Sequence, residues 1–240
     1  MIKASVHIPI SNSENQVTLM ANLSIPINPT GIVIFAHGSG SGKNSPRNSA
    51  VADLMNKEGL ASLLVDLLTP EEQECDNIVA NQLDSTPGLI LNKFNINLLS
   101  SRLVEITEWA TQNQIIRGLM LGYFGASTGT AAALSASSNS STCKFIDAIV
   151  SRSGRPDLVG RNGLRLVTVP TLFIVGGSDY PEVINWNKNA LRDIGSEKKK
   201  MIVVANATHF FEEPGALDEV ARLANGWFRC YFQIKAHQSA

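Results

Sequence analysis

The residues whose types and spacing can do chemistry are Gly125-Ala126-Ser127-Thr128-Gly129. A serine with a glycine two positions away on either side suits a sharp strand-to-helix turn, where larger flanking side chains would clash. Such a turn exposes the Ser127 hydroxyl at the positive end of a helix, where a developing oxyanion is stabilised. A serine hydroxyl is a weak nucleophile without a base, and the base needs an acid to orient it. In the fold class that carries this turn, the chain order is Ser, then Asp or Glu, then His. Two histidines follow Ser127. His237 stands three residues from the end, in a polar tail expected to be disordered. His209 follows the apolar run Met201–Ala205, at the carboxyl end of an expected strand, where open α/β sheets build their sites. It is the candidate base.

The acid belongs on the loop after the preceding strand. Thr171–Val175 is that strand, and Gly176-Gly177-Ser178-Asp179 follows it, so Asp179 is the candidate. Glu182 is the second choice, and Asp157 would serve if the strand count differs. An oxyanion hole needs two N–H donors. The first is the backbone N–H of Thr128. The second comes from the Gly/Ser loop His37–Gly42, with Ser39 as first choice and Gly40 as the alternative. His37 precedes Ser127 and reads as a structural support of that loop. Arg152 and Arg155 follow the expected strand Phe145–Val150 and are candidates for binding an anionic substrate group; the plainer reading makes them solvated or paired loop arginines. The same Gly/Ser loop invites a nucleotide-binding reading through Gly42-Lys43. The phosphate-loop pattern would need Gly at 37 and Ser or Thr at 44. The chain has His37 and Asn44, so that reading fails.

These residues need elements to hold them. Ile32–Ala36, Leu60–Val65, Gly118–Gly122, Phe145–Val150, Leu172–Val175 and Met201–Ala205 are short apolar runs that read as buried strands. Between them lie helical patterns. Ser45-Pro46 opens one as N-cap and first residue, with Val51, Leu54 and Met55 as its buried stripe and Gly59 as its stop. Others carry Leu99, Leu103, Ile106 and Ala110; Thr128–Ser137; and Val183, Trp186, Ala190 and Ile194. The last begins near Pro214, with Leu217, Val220, Ala224 and Trp227 on one face. Leu67–Asn95, acidic at its start, reads as a loop with some helix. Residues 4–10 and 17–25 alternate like an antiparallel edge hairpin. Alternating strands and helices imply an α/β fold, with a mostly parallel sheet covered on both faces. No Pro- or Gly-rich linker divides the chain, so residues 1–240 are expected to form one domain.

Composition narrows the class. The 240 residues hold 20 Lys+Arg and 21 Asp+Glu, a formal net charge of −1, with 44% hydrophobic and 17% charged residues. That is too apolar for intrinsic disorder and not basic enough for a nucleic-acid binder. Lys198-Lys199-Lys200 is too short and isolated to change this and is expected at a helix cap or strand start. Cys75, Cys143 and Cys230 are odd in number and lack C-x-x-C spacing, which argues against a disulfide framework and a zinc site. No apolar run approaches a membrane span, and the first residues lack a signal-peptide stretch. A soluble cytoplasmic protein of undetermined oligomeric state, without cofactor or metal, is expected.

In Phe35–Gly42 with Ser45-Pro46-Arg47-Asn48, Gly122–Gly129, Ser151–Asp157, Gly176–Asp179 and Ala207–Gly215, taken in that order, the chain resembles the dienelactone hydrolase-like branch of the α/β-hydrolase family. The resemblance implies an α/β-hydrolase fold with Ser127 as nucleophile, Asp179 as acid and His209 as base. Dienelactone hydrolases proper carry Cys at the elbow, where this chain has Ser127. Some relatives are fused to a phosphoribosyltransferase domain; within these 240 residues no such domain is expected. The expected activity is hydrolysis of a small-molecule ester, lactone or thioester through an acyl-enzyme. The alternative is a non-catalytic binding protein on the same fold.

Overall fold

The computed structural model describes residues 1–11, 16–82 and 91–238. The strands are Ile2–Ile10 (β1), Val17–Ile25 (β2), Gly31–Ala36 (β3), Leu60–Val65 (β4), Leu121–Ala126 (β5), Ile146–Arg152 (β6), Thr171–Gly176 (β7) and Lys199–Val204 (β8). They form one sheet in the order β1-β2-β4-β3-β5-β6-β7-β8. β1 pairs with β2, and β2 with β4, antiparallel; every other pair is parallel. The order reverses around β3, so the loops after β3 and β5 leave neighbouring strands at the same carboxyl edge. Ligands bind at such an edge in open α/β sheets.

The helices are Pro46–Lys57 (α1), Pro70–Gln82 (α2), Ile96–Gln112 (α3), Thr128–Ser137 (α4), Gly160–Leu166 (α5), Pro181–Asp193 (α6) and Ala216–Gln238 (α7). Each buried strand feeds two cores by simple alternation. Ile32, Ile34 and Ala36 face one core, which takes in Leu99, Leu103 and Ile106 of α3, Ala132 and Ala133 of α4 and Ala190 of α6. Val33 and Phe35 face the other, built with Val51 and Met55 of α1 and with Val220, Ala224, Phe228 and Phe232 of α7. Burying each of those phenylalanines contributes about 1.5–3 kcal/mol.

The helix starts follow local chemistry. Ser45 caps α1, its hydroxyl accepting from the Asn48 N–H, with Pro46 in the first turn. Thr69 and Glu72 form a reciprocal capping box before α2: the Thr69 hydroxyl accepts from the Glu72 N–H, and Glu72 accepts from the Thr69 N–H at 2.8 Å. The acidic stretch from Glu71 to Asp76 is therefore helical and supplies the helix expected somewhere within Leu67–Asn95; residues 83–90 of that stretch lie outside the described residues. Buried Arg102 of α3 ties α2 down through two hydrogen bonds to Glu72 and one to the Leu67 carbonyl.

Several boundaries differ from expectation; β6, for one, runs to Arg152 and not Val150. β5 spans Leu121–Ala126, not Gly118–Gly122: Gly118 has φ 83° and turns the chain after α3, while Tyr123 and Phe124 fill the two opposite cores. The strand thus runs up to Ser127. β8 begins at Lys199: an outer strand of the sheet accommodates lysines, here Lys199 half-buried and Lys200 exposed. α7 continues through Gln238 and takes in His237, which had been placed in a disordered tail. Among the described residues no helix is long and apolar enough to cross a membrane.

Candidate active site

Ser127 is the pivot between β5 and α4. Its backbone has φ 49° and ψ −121°, a conformation that costs a non-glycine residue about 1–3 kcal/mol. Close approach explains the flanking glycines. A Cβ on Gly125 would stand 2.5 Å from Thr130 Cα, and one on Gly129 would stand 2.1 Å from the Ala36 carbonyl oxygen. Gly129→Ala should therefore destabilise the protein by at least about 1–3 kcal/mol, read as a lower denaturant midpoint. The loop after β6 holds the turn from the other side. The Ser127 N–H donates to the Arg152 carbonyl at 3.1 Å, and the Arg155 N–H donates to the Ser127 carbonyl at 3.0 Å. The Ser127 side chain caps nothing.

Asp179 and His209 sit on adjoining loops sewn together by backbone. The Gly177 N–H donates to the Val204 carbonyl and the Ser178 N–H to the Ala207 carbonyl. His209 Nδ1 lies 2.9 Å from Asp179 Oδ1. The carboxylate only accepts, so Nδ1 carries the proton and the neutral ring keeps its Nε2 lone pair free. The Asp179 side chain is fully buried. Its Oδ1 also accepts from the Tyr180 N–H at 2.7 Å, and its Oδ2 accepts from the Ser153 hydroxyl. Burial pushes the Asp179 carboxyl up, but the hydrogen bonds from His209 and Ser153, the electrostatic pull of the adjoining imidazole and the Tyr180 N–H outweigh it and hold the group below its ordinary value of 3.8.

The Ser153 contact was not anticipated. Ser153 is buried and holds a positive φ of 41° just beyond β6, 26 residues from its partner in sequence. Ser153→Ala should lower stability at neutral pH by about 1.5–3 kcal/mol, the range for a hydrogen bond to a charged group. Asp179 binds its proton less tightly folded than unfolded, so its contribution is complete above the ordinary value and is lost as pH falls through the lowered one. The gap between variant and wild type should close over that acidic range in denaturation curves.

The Gly/Ser loop after β3 runs against the nucleophile: a Cβ on Gly38 would stand 3.0 Å from Ser127 Cβ. His37 Nε2 accepts from the Leu67 N–H at 2.9 Å, which leaves Nδ1 to donate to the Gly38 carbonyl at 2.9 Å. Burial holds His37 below its ordinary 6.5, against the opposing pull of Gly38 and Asp66. An unfolded chain takes up that proton near 6.5 while the folded one does not, so stability should fall as pH drops below about 6.5. Thermal melts of wild type and His37→Gln across pH 7 to 5 should show the wild type losing stability more steeply. Asp66 pins the far end of the loop, accepting from the Lys43 N–H at 2.7 Å and from Lys43 Nζ at 2.8 Å. Lys43, the residue behind the discarded nucleotide reading, is thereby a structural clamp. Thr128 opens α4, so helix geometry gives its N–H no intrahelical acceptor.

A pocket of about 170 Å³ brings Ser127, His209, Ser39 and Arg152 together, with Arg47 and Phe210 also on its wall. A second cavity, of about 140 Å³, is lined by Ser39 and Thr128 together with Leu68 and Leu99. Arg155 stands apart from both: it pairs with Asp157 at 2.8 Å and stacks on Trp186 at 4.1 Å. Arg155 is thus the paired loop arginine of the plainer expectation and not a ligand of the pocket; its charge is matched, and Asp157 is occupied with it. Glu182 is exposed in the first turn of α6, and Asp179 alone of the three candidate acids meets His209 among the described residues.

The fold is that of an α/β-hydrolase. A solved dienelactone hydrolase from Anabaena variabilis is 46% identical, with a TM-score of 0.82 over 95% of this chain and 98% of its own. The chain belongs to the dienelactone hydrolase family. Est1E from Butyrivibrio proteoclasticus (13% identity, TM-score 0.73, 95% of this chain and 99% of its own) and an esterase from Pyrococcus furiosus (16%, 0.70, 96% and 92%) share the fold. Two Mycobacterium tuberculosis proteins bearing the name "Putative phosphoribosyl transferase" are 44% identical over 232 residues, covering 95% of this chain and 48% of theirs. The chain thus spans about half the length of the curated relatives it matches. No family model matches it.

Proposed function

We propose that this chain hydrolyses a small-molecule ester, lactone or thioester through an acyl-enzyme on Ser127. The observation that carries the reading is His209, held by buried Asp179, lining the same pocket as the strained Ser127 turn. His209 Nε2 takes the Ser127 proton as Oγ bonds to the carbonyl carbon. The oxyanion forms against the Thr128 and Ser39 N–H groups, each such donor typically lowering the barrier by about 2.7–4 kcal/mol. His209 then passes the proton to the leaving oxygen or sulfur as that bond breaks. Water, deprotonated by His209, attacks the acyl-enzyme and releases the acid and Ser127. We also take residues 1–240 as one folding unit, since the residues invoked run from 39 to 209. Three exposed free cysteines, Cys75, Cys143 and Cys230, favour work in the reducing cytoplasm. The phosphoribosyl transferase name of the longer relatives is not carried over to this chain.

Rapid mixing with a short p-nitrophenyl ester tests the mechanism. A burst of p-nitrophenol equal to the enzyme, followed by slower turnover, is the expected trace. Neither burst nor turnover across esters, lactones and thioesters of varied length would favour a binding protein instead.

A further inference from the structure

Arg152 ends β6 and is 6% exposed. Among the described residues no carboxylate pairs with it, and its Nη1 is buried without a hydrogen-bond partner. Its guanidinium lies 5.8 Å from the Phe124 ring centroid. A desolvated cation with no anion beside it is costly, and folds keep that arrangement where a ligand completes it. Arg152 lines the pocket of Ser127 and His209, whose described lining contains no Asp or Glu.

A second guanidinium shares that wall. Arg47, in the first turn of α1, has its Nε buried without a partner and stacks on Phe210 at 4.4 Å. Its one ion pair among the described residues, 3.0 Å to Glu212, is to a side chain that is 68% exposed. Burial, with the repulsion of Arg47 second, pulls Arg152 down to about 10. Ser45 and Asn48 carry the amino end of the 12-residue α1 to the same pocket, and the positive pole of a helix attracts anions.

We propose that this pocket holds a phosphate monoester group of the substrate, shared among Arg152, Arg47 and the first turn of α1. The bond cleaved at Ser127 is then an ester, lactone or thioester of a phosphorylated compound. Two guanidiniums lining one pocket call for two negative charges and more than two acceptor oxygens. A phosphate monoester supplies both near neutral pH; a carboxylate supplies one charge and two oxygens. The position of the scissile bond rests on the serine-hydrolase reading, but the anion site does not.

The test uses Ser127→Ala protein, which keeps the pocket and cannot turn over, titrated at low ionic strength with inorganic phosphate and, separately, with acetate. Calorimetry should show one saturable phosphate site, with acetate at least about tenfold weaker. Adding Arg152→Gln should weaken phosphate at least about tenfold, with circular dichroism confirming the fold. Arg47→Gln, at a partly exposed position, should weaken it too and serves if the Arg152 variant does not fold. Equal affinity for acetate would overturn the proposal in favour of a carboxylate-bearing substrate. Undiminished phosphate binding in both arginine variants, or no saturable binding to folded protein, would overturn it outright. The readout needs no nucleophile, so failure here leaves serine hydrolysis standing, and failure of hydrolysis leaves the anion site standing.

Discussion

Ser127→Ala should lower kcat for ester hydrolysis by about 10⁶-fold, the scale seen when a serine nucleophile that works as a unit with its base is removed. Residual turnover would come from oriented water and the oxyanion donors alone. The loss should be chemical and not a failure to fold. The Ser127 side chain makes no capping hydrogen bond, and alanine meets the same backbone demand as serine at φ 49°. Ser127→Gly separates the two effects further. Glycine adopts that φ freely, so the variant should be equally inactive while its local backbone strain is relieved. A thermal midpoint at or above that of Ser127→Ala would locate the strain at the nucleophile. A midpoint clearly below it would show that the turn is not strained there.

Asp179→Asn should lower kcat by about 10⁴-fold with the fold preserved. Asp179 now holds the His209 proton on Nδ1 and leaves Nε2 free to accept. An asparagine that turns its NH₂ toward His209 reverses the ring: Nδ1 becomes the acceptor, and Nε2–H faces Ser127 with no lone pair to take its proton. Turned the other way, it keeps the tautomer but supplies no charge to the imidazolium that forms during attack. The Tyr180 N–H still has an acceptor in the second arrangement, and the Ser153 hydroxyl can reverse its role. Steady-state kinetics with a p-nitrophenyl ester measure the effect. A fall smaller than about tenfold would remove Asp179 from the orienting role.

Much of this site was legible before any coordinates because its signals are local. A serine flanked by glycines between an apolar run and a small-residue run describes a turn. Chain order then selects Asp179 and His209, and the geometry brings that pair together. What could not be read depends on contacts across the topology. Ser153 reaches Asp179 only because β6 and β7 are neighbours in register. Arg47 shares a pocket with Arg152 only because α1 begins over the carboxyl edge of the sheet. Arg155 looked as available as Arg152, and its capture by Asp157 two residues on is a matter of loop shape. Two misses had readable signals. Thr69-Pro70-Glu71-Glu72 is a capping box in plain sequence, and Gly118 marked a turn and not a strand start. β5 runs on past Gly122 because Tyr123 and Phe124 each fill a core on one side of the sheet.

The central claim is that Ser127 is a nucleophile activated by His209. Its most direct measurement is covalent labelling with a fluorophosphonate, followed by peptide mass spectrometry. One adduct per chain is expected, on the peptide containing Ser127, absent from Ser127→Ala and slowed by orders of magnitude in His209→Gln. Labelling at another residue, or ester hydrolysis persisting at wild-type rate in pure Ser127→Ala protein, would contradict the account.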